Sequence, residues 1–313
     1  MTTNDETPEA AGRTADSWPI AAAMLNFPPA QDARDEDWAD TLAQLARAGF
    51  DAVDPTDSWL RLADLEQARL DGFLGICRDL RLTIPALSTA RRSLIDPELG
   101  DEHLAYSHRV IDTAASVGAS VVSFGLMRAL TPAQRQTLWF WTAPGAADPE
   151  DAQIRGLAID RFRELGEHAA SVGVTIALEL YEDTYLGSGA SAVRLVTEID
   201  HPAVGINPDL GNLVRRHGPV EPWQDIIAAT APYARYWHVK NYQRIEDPDR
   251  DLYLSIPTSM ELGVIDYRSA VRTALDAGYR GAFCVEHYGG DGLSISARNR
   301  DYLRTLLPQE ALS

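Results

Sequence analysis

Hydrophobic residues follow two alternating patterns along the chain, short apolar runs and longer stretches with helical spacing. The short runs have the length of buried strands, and the longer stretches carry the apolar stripe of amphipathic helices. The predicted strands are 19–26, 51–54, 82–87, 119–124, 174–179, 204–209, 234–238 and 282–286. The predicted helices are 37–49, 59–80 with a break near Gly72 or Gly75, 103–117, 154–170, 190–199, 223–233, 266–277 and 296–307.

Glycine marks the end of three predicted helices. Gly49, Gly173 and Gly278 each stand shortly before a predicted strand, where a helix stop is expected. The patterns pair into eight successive strand–helix units, and strict alternation predicts an α/β protein with a parallel sheet. Eight units favour a closed (β/α)8 barrel over an open doubly wound sheet. No G-x-G-x-x-G follows the first strand, which disfavours a dinucleotide-binding fold.

Two connections are longer than the others. Residues 127–149 contain the aromatic run Trp139-Phe140-Trp141 among three prolines, and a loop of this length is either functional or disordered. The aromatic run acts either as a packing anchor or as a platform for an aromatic ligand, with Trp141 as the candidate substrate contact. Residues 244–263 form a charged second loop, a candidate lid or partner surface at the catalytic face of a barrel.

Length and composition fit one catalytic domain. The chain has 313 residues, of which 45% are hydrophobic and 24% charged, as in soluble globular proteins. We predict a disordered tail at 1–17 and a single barrel domain at 18–313. The tail is polar and acidic and lacks the features of a signal or transit peptide, which predicts a cytoplasmic protein. Cys77 and Cys284 lie within apolar patterns and are predicted to be buried free thiols.

The charge balance excludes two classes of partner. With 28 basic and 46 acidic residues, the formal net charge is −18. Nucleic-acid backbones and anionic membranes both require a basic surface. The sequence also has no continuous apolar stretch long enough to span a bilayer. We therefore expect neither nucleic-acid nor membrane binding.

The candidate chemistry lies at the ends of the last four predicted strands. Each of these strands ends in a side chain that binds metal ions, and the ends of parallel strands meet at one edge. The four side chains are Glu179, Asp209, His238 and Glu286. Three carboxylates and one imidazole form a hard, mostly oxygen site, which suits Mn²⁺, Mg²⁺ or Co²⁺ better than a structural zinc.

Strand alternation adds further candidates. Because side chains two residues apart point the same way, Lys240 joins His238 on the inner face. Lys240 acts there either as an electrophile or acid, or as the ion-pair partner of a neighbouring carboxylate. Tyr181 and Tyr288 follow the two glutamates in the same sense and are candidate substrate contacts. His287 points away if its strand continues and turns inward if the strand has ended.

The four sites, read in order, resemble a known family. The strings Ile176-Ala-Leu-Glu179, Asp209-Leu-Gly-Asn212, His238-Val-Lys240 and Val285-Glu286 resemble the metal site of xylose-isomerase-like sugar isomerases and epimerases. The resemblance covers roughly residues 19–307. It implies a TIM barrel that holds a divalent cation, Mn²⁺ foremost, and removes a proton beside the carbonyl of a keto sugar. In an epimerase, Glu179 and Glu286 would remove and return the proton from opposite faces.

A narrower resemblance concerns three other strings. Residues 236–242, 257–263 and 286–290 look similar to the larger subunit of bacterial C-glycoside deglycosylation enzymes. This implies cleavage of the carbon–carbon bond of 3-keto C-glycosides and a small β-sandwich partner subunit. Keto-sugar epimerases carry a substrate-binding histidine where this chain has Asn212, which either contacts substrate or only caps the following turn.

Three functional hypotheses follow. The main one is a metal-dependent carbon–carbon lyase that releases the aglycone of a C-glycoside. The alternative is a sugar isomerase or epimerase acting on a free or phosphorylated keto sugar, and the third is a non-catalytic barrel subunit. The predicted catalytic residues are Glu179, Glu286, Lys240 and His287. The predicted substrate contacts are Asn212, Tyr181, Trp141 and Tyr288, and the predicted metal ligands are Glu179, Asp209, His238 and Glu286.

Overall fold

A computed structural model describes residues 12–310 and confirms the predicted (β/α)8 barrel. The strands are β1 (Ile20–Ala23), β2 (Ala52–Asp54), β3 (Ala86–Thr89), β4 (Val121–Phe124), β5 (Thr175–Glu179), β6 (Val204–Asn207), β7 (Trp237–Val239), β8 (Asn241–Asp247), β9 (Leu252–Thr258) and β10 (Phe283–Val285). The helices in these residues are α1 (Asp35–Arg47), α2 (Gln67–Asp79), α3 (Gly100–Val117), α4 (Ala152–Ser171), α5 (Gly189–Ile199), α6 (Leu210–Val214), α7 (Trp223–Thr230), α8 (Tyr267–Asp276) and α9 (Gly292–Arg304). Between residues 12 and 310, no helix is both long and apolar enough to cross a membrane.

The barrel consists of two four-stranded parallel halves. One half has the order β2-β1-β10-β7 and the other the order β3-β4-β5-β6. Each junction between the halves has a single backbone bridge, Ala52 with Thr83 at one and Ile206 with Ala234 at the other. Pairs within a half form three or four register pairs instead. We call the β2–β3 and β6–β7 junctions the two seams.

Side chains alternate between the barrel interior and the surrounding helices. The interior cluster is made mostly of small residues, including Ala21, Ala52, Ala86 and Ala177, whereas the intervening larger residues face the helices. Two positions further along several strands, the next inward residue is polar, because strand side chains repeat every second residue. We call these the polar layer, which consists of Asp54, Ser88, Ser123, Glu179, Asn207, His238 and Glu286.

Polar-layer side chains span both seams. At the β2–β3 seam, the Asp54 carboxylate accepts hydrogen bonds from the backbone N–H of Ser88 at 3.1 Å and from its hydroxyl at 2.6 Å. At the β6–β7 seam, the amide oxygen of Asn207 accepts the backbone N–H of His238 at 2.8 Å. These side chains therefore supply hydrogen bonds at the two places where the backbone ladder is shortest.

Most predicted elements are confirmed, including the glycine stops. Gly49, Gly173 and Gly278 have φ values of 88°, 75° and 91°, the left-handed region in which a side chain would be strained. Cys77 and Cys284 are both free and buried.

The prediction of one long helix over 59–80 is wrong, because α2 begins only at Gln67. Neither Gly72 nor Gly75 breaks it. Trp59 and Leu60 lie buried in the preceding loop, where Trp59 packs against Phe73 with ring centroids 6.1 Å apart. Apolar residues of a packed loop can thus imitate the stripe of a helix. Strand β3 is shifted too: only Thr83 of the predicted 82–87 run is bridged before the strand proper begins at Ala86.

The predicted loop at 244–263 is instead an antiparallel hairpin. Strands β8 and β9 pair over their full length, from Asn241 with Thr258 to Asp247 with Leu252. Residues 12–17, predicted to be disordered, fold onto the barrel. Ala15 is buried there and its N–H donates to the carbonyl of Pro308. The predicted tail at 1–11 lies outside the described residues.

Candidate active site

The four predicted metal ligands converge at the carboxyl-terminal end of the barrel. Ligand atoms of Glu179, Asp209 and His238 all lie within 4.8 Å of one another. A carboxylate oxygen of Glu286 lies 3.2 Å from Nδ1 of His238, and one of Glu179 lies 3.6 Å from the same atom. All four side chains are buried.

Asp209 reaches this cluster from a helix rather than from a strand. Strand β6 ends at Asn207, and Asp209 caps the N-terminus of α6, where its Oδ1 accepts the N–H of Asn212 at 3.1 Å. The predicted strand 204–209 therefore ends two residues early. The other carboxylate oxygen, Oδ2, remains directed at the cluster.

Lys240 forms ion pairs within the same cluster. Its buried ammonium contacts the carboxylates of Asp209 and Glu286. The ion-pair alternative for Lys240 is therefore present in the structure. Gly211 makes room for this side chain, because a Cβ at Gly211 would lie only 2.5 Å from Cγ of Lys240.

The imidazole of His238 is oriented by two polar-layer residues. Nε2 lies 3.1 Å from the hydroxyl oxygen of Ser88, and that hydroxyl donates to Asp54 at 2.6 Å. Since the hydroxyl proton is used on Asp54, the oxygen accepts from Nε2–H. Nδ1 then has no proton in the neutral ring, and its lone pair faces Glu179 and Glu286. Nδ1 is buried and has no hydrogen-bond partner among the described residues.

The pKa values of the cluster reflect an excess of buried negative charge. Burial raises the pKa of Asp209 to about 7, although Lys240 opposes the shift. For His238, burial alone would lower the pKa, but Glu286 and Glu179 outweigh it and raise the pKa well above its ordinary value. For Glu286, Lys240 and His238 overcome burial and hold the pKa well below its usual range.

The chemistry of this donor set fits one divalent cation. With the imidazole neutral, as cation binding requires, three carboxylates and one ammonium leave two negative charges in a buried site. A divalent cation would neutralise them, and the unpaired Nδ1 of His238 supplies the remaining ligand. Carboxylate oxygens dominate the set, as Mg²⁺ and Mn²⁺ prefer.

A pocket with a cavity volume of about 60 Å³ opens onto this cluster. Glu179, His238 and Glu286 form one side of it, with Tyr181 and Tyr288 beside them. The opposite side comes from loops after β2 and β3, including Asp57 and Arg91. Tyr181 and Tyr288 therefore lie where a substrate in this pocket would touch them.

Three other predicted residues lie elsewhere. Asn212 lies behind Glu179, donating to its carboxylate at 2.8 Å and to the carbonyl of Leu180 at 3.0 Å. Trp141 does not line the pocket; it packs against Tyr288 with ring centroids 5.3 Å apart. His287 makes no hydrogen bond or ion pair with the predicted ligands in the described part of the chain, and burial lowers its pKa. Strand β10 ends at Val285, and His287 is not among the residues that line the pocket.

Trp141 belongs to an aromatic cage around a buried guanidinium. Arg215 forms a two-bond ion pair with Glu182, at 2.7 and 3.1 Å, and both side chains are almost fully buried. The Arg215 guanidinium lies 4.6 Å from the Trp141 ring and 5.2 Å from the Tyr181 ring. The indole N–H of Trp141 donates to Ser255 of β9 at 2.9 Å. The aromatic run is thus a packing anchor that joins the 127–149 loop to the hairpin.

Several residues of the site were not predicted from the sequence. They are Asp54, Ser88, Asn207, Glu182 and Arg215. A signal was available for the first three, since each follows a small residue of a predicted strand, Ala52, Ala86 or Gly205, by two positions. The Glu182–Arg215 pair joins two loops, and no local pattern indicates that contact.

Comparisons with known proteins agree with this geometry. The family described as a xylose isomerase-like TIM barrel matches residues 42–306. A crystal structure of a xylose isomerase-like TIM barrel protein from Mycobacterium smegmatis, in complex with magnesium, is 44% identical with a TM-score of 0.90. The match covers 96% of this chain and 100% of that chain.

Two further relatives are epimerases. L-ribulose-5-phosphate 3-epimerase UlaE from Escherichia coli (strain SMS-3-5 / SECEC) is 22% identical over 289 residues, which are 88% of this chain and 92% of that protein. The structure of D-allulose 3-epimerase from Methylomonas sp. has a TM-score of 0.67 at 14% identity, covering 93% of this chain and 98% of that chain. At this identity the second match shows the fold alone. The UlaE relative favours the isomerase or epimerase hypothesis, and none of these matches supports the carbon–carbon lyase or a β-sandwich partner.

Proposed function

The chain belongs to the xylose isomerase-like TIM barrel family, and from this we propose that it is a divalent-metal-dependent isomerase or epimerase of a keto sugar. One observation carries the proposal. A buried cluster of three carboxylates, one ammonium and one unpaired imidazole nitrogen lines a pocket at the carboxyl-terminal end of the barrel. The epimerase activity of the UlaE relative and the magnesium in the Mycobacterium smegmatis structure support the same function.

The proposed ligands are Glu179, Asp209, His238 and Glu286. A divalent cation bound there would polarise a substrate carbonyl and stabilise negative charge that develops on its oxygen. Mn²⁺, Mg²⁺ and Co²⁺ all suit this donor set. Because all four ligands are present and converge, the hypothesis of a non-catalytic barrel has no structural support among the described residues.

Proton transfer is assigned to the two glutamates. Glu179 is the last residue of β5, and Glu286 directly follows β10. Two strands, β6 and β7, lie between β5 and β10 in the barrel. The two carboxylates therefore approach the pocket from different sides. One removes a proton from the carbon beside the substrate carbonyl, and the other returns it on the opposite face. Asn212 holds Glu179 in place through its hydrogen bond to Oε1.

Lys240 has a supporting role in this proposal. Its ammonium balances the charge of Asp209 and Glu286 and keeps the Glu286 carboxylate ionised. Tyr181 and Tyr288 form the wall beside the glutamates and restrict water there.

The test is a proton-exchange assay on the full-length protein. Samples loaded with Mn²⁺, Mg²⁺ or Co²⁺ would be incubated in D2O with keto-pentoses and keto-hexoses, both free and phosphorylated. We expect an epimer or isomer that carries deuterium at the carbon next to the carbonyl. Glu179→Gln and Glu286→Gln should each reduce the rate by about 100-fold or more. Glu261→Gln, an exposed position away from the pocket, is the matched control.

A further substrate decides between the two enzyme hypotheses. A 3-keto C-glycoside would be included in the same screen. Release of its free aglycone would establish the carbon–carbon lyase instead, and that reaction needs an additional general acid to protonate the leaving carbon. Absence of isotope exchange with every keto sugar and every cation would overturn the proposal.

A further inference from the structure

A second and larger concavity adjoins the pocket of the candidate active site. It is bounded by residues 93–99 of the β3–α3 loop, residues 126–129 of the β4–α4 loop, the first turn of α4 and Tyr185. We call it the outer groove; its cavity volume is about 610 Å³, compared with about 60 Å³ for the pocket. Met127 lines both. The groove therefore begins where the pocket ends, on the same face of the barrel.

The walls of the outer groove are apolar. Leu126 and Tyr185 form its buried floor. Leu99 and Ile154 stand at its rim with 47% and 38% of their surface exposed, more than most large apolar side chains of this chain. Met127, at the passage, is a flexible side chain that adapts to ligands of different shape. Exposed apolar side chains around one concavity are typical of a ligand site.

Polar groups at the rim are already engaged. The Asp96 carboxylate accepts the N–H groups of Glu98 and Leu99, both at 2.9 Å. Asp151 caps α4 by accepting the N–H groups of Gln153 and Ile154. Arg128 donates to the carbonyl of Ala147 at 2.8 Å. One carboxylate oxygen of Asp96 and one of Asp151 are thus used within the protein, and most of the residues that line the groove are apolar.

The charged side chains around the outer groove disfavour an anionic ligand. Three carboxylates, those of Asp96, Glu98 and Asp151, surround the groove and face a single guanidinium, that of Arg128. A phosphate or carboxylate group would be repelled there. A neutral alkyl or aromatic group would bury its surface against the floor instead.

We propose that the substrate is a keto sugar carrying a neutral apolar substituent, with the sugar in the pocket and the substituent beyond Met127 in the outer groove. This inference rests on the proposed function and names its substrate class. Burial of a phenyl group in the groove should raise kcat/KM by about tenfold or more over the unsubstituted sugar.

The groove can be altered without touching the catalytic cluster. Leu99 is the N-cap residue of α3, and Ile154 lies in the first turn of α4. An acidic residue at the N-cap or in the first turn stabilises a helix, so the Leu99→Asp and Ile154→Glu variants should fold normally. Leu138→Asp is the matched control, because Leu138 is 90% exposed and lies outside the groove.

The experiment compares a 3-keto-hexose with its methyl and phenyl glycosides, which keep a free ketone at C3 when C1 is substituted, as substrates of the Mn²⁺-loaded full-length protein. Deuterium exchange beside the carbonyl gives kcat/KM for each. We expect the phenyl glycoside to be preferred by about tenfold or more, and Leu99→Asp with Ile154→Glu to abolish that preference. The free sugar should react equally well with all variants, and Leu138→Asp should behave as wild type.

The outcomes separate this inference from the proposed function. Exchange of the free sugar without any advantage for the phenyl glycoside would overturn the groove assignment and leave the enzyme proposal intact. If no sugar exchanges, the proposed function fails, and binding of the phenyl glycoside is measured directly by saturation-transfer NMR. Binding that is lost in the double variant supports the groove as a site, and absence of binding overturns it.

Discussion

At the scale of single residues, Ser88 determines which ring nitrogen of the neutral His238 carries the proton. Its hydroxyl gives its proton to Asp54 and so can only accept from Nε2–H of His238. This fixes the tautomer in which Nδ1 carries a free lone pair. Among the described residues, the Ser88 side chain forms hydrogen bonds with Asp54 and His238 but with none of the three carboxylate ligands. Its effect on the cation site therefore passes through the imidazole of His238.

Ser88→Ala should therefore weaken cation binding by about 10- to 100-fold, as is usual when the hydrogen-bond partner of a metal-binding histidine is lost. Isothermal titration with Mn²⁺ measures the change without reference to activity. Ser123→Ala is the matched control, because Ser123 belongs to the same polar layer but contacts Asn207. An unchanged Mn²⁺ affinity in Ser88→Ala would remove the serine from this role.

The residue scale also shows what the sequence could predict. Glu179, Asp209, His238 and Glu286 could be selected because strand ends in a barrel converge whatever the loops do. Trp141 and Asn212 lie outside the pocket lining, and no sequence pattern indicates this, since only tertiary packing decides whether a side chain faces the pocket or lies behind it. The Trp141 ring packs against the Arg215 guanidinium, and the Asn212 side chain donates a hydrogen bond to Glu179.

At the scale of elements, the two seams are the weak joints of the barrel. Asn207 spans one of them, accepting from the N–H of His238 and donating to Ser123 at 3.1 Å. Its side chain thus links β4, β6 and β7. Backbone pairing alone gives this seam only the bridge between Ile206 and Ala234.

Asn207→Ala should lower the free energy of unfolding by about 1–3 kcal/mol, because it leaves a buried N–H without its acceptor. Exchange of the His238 amide proton should accelerate more than that of amides within either half. Urea unfolding and hydrogen exchange measure the two effects. Ser123→Ala, which removes only one of the two bonds, should cost less; equal exchange rates across the seam and the halves would contradict this account.

A second prediction at this scale concerns the cage that joins the 127–149 loop to the hairpin. Arg215→Met should destabilise the protein by about 3–5 kcal/mol, because the Glu182 carboxylate would remain buried without its partner. Adding Glu182→Leu should restore most of that loss. Urea unfolding of the single and double variants tests this, and a double variant no more stable than Arg215→Met would show that the ion pair is not the cause.

Elements also differ in how well sequence predicts them. Helices with regular stripes, such as α3 and α4, were located within three residues of their observed starts. The hairpin of β8 and β9 was missed because its charged residues, including Arg244 and Glu246, resemble a solvated loop. Cross-strand pairing stabilises the hairpin, but its apolar residues do not mark its buried face: Leu252 and Ile256 are exposed, whereas Ser255 is buried.

At the scale of the whole molecule, the proposed cation ligands come from both halves of the barrel. Glu179 and Asp209 belong to the half that contains β5 and β6, whereas His238 and Glu286 belong to the half that contains β7 and β10. A cation held by all four would connect the halves across the β6–β7 seam. Its binding free energy would then add to the stability of the closed barrel.

Removal of the cation should lower the melting temperature. At a cation concentration of 100 times Kd, the bound ion contributes about 2.7 kcal/mol, which corresponds to roughly 4 °C for a chain of this size. Calorimetry with Mn²⁺ and with a chelator measures the difference. Asp209→Asn keeps a residue that can cap α6 but removes one charge from the cation site. The melting temperature of this variant should therefore change much less between Mn²⁺ and chelator. An equal melting temperature of the wild type with and without chelator would contradict a cation that connects the two halves.

The seams have a consequence for the protein in a cell. A barrel that separates at β6–β7 exposes the unpaired edges of two strands, which proteases and aggregating chains recognise. Cation supply would then set how often these edges open. We expect the protein to turn over faster in manganese- and magnesium-starved cells, so that its abundance, and not only its catalytic rate, follows the supply of its metal.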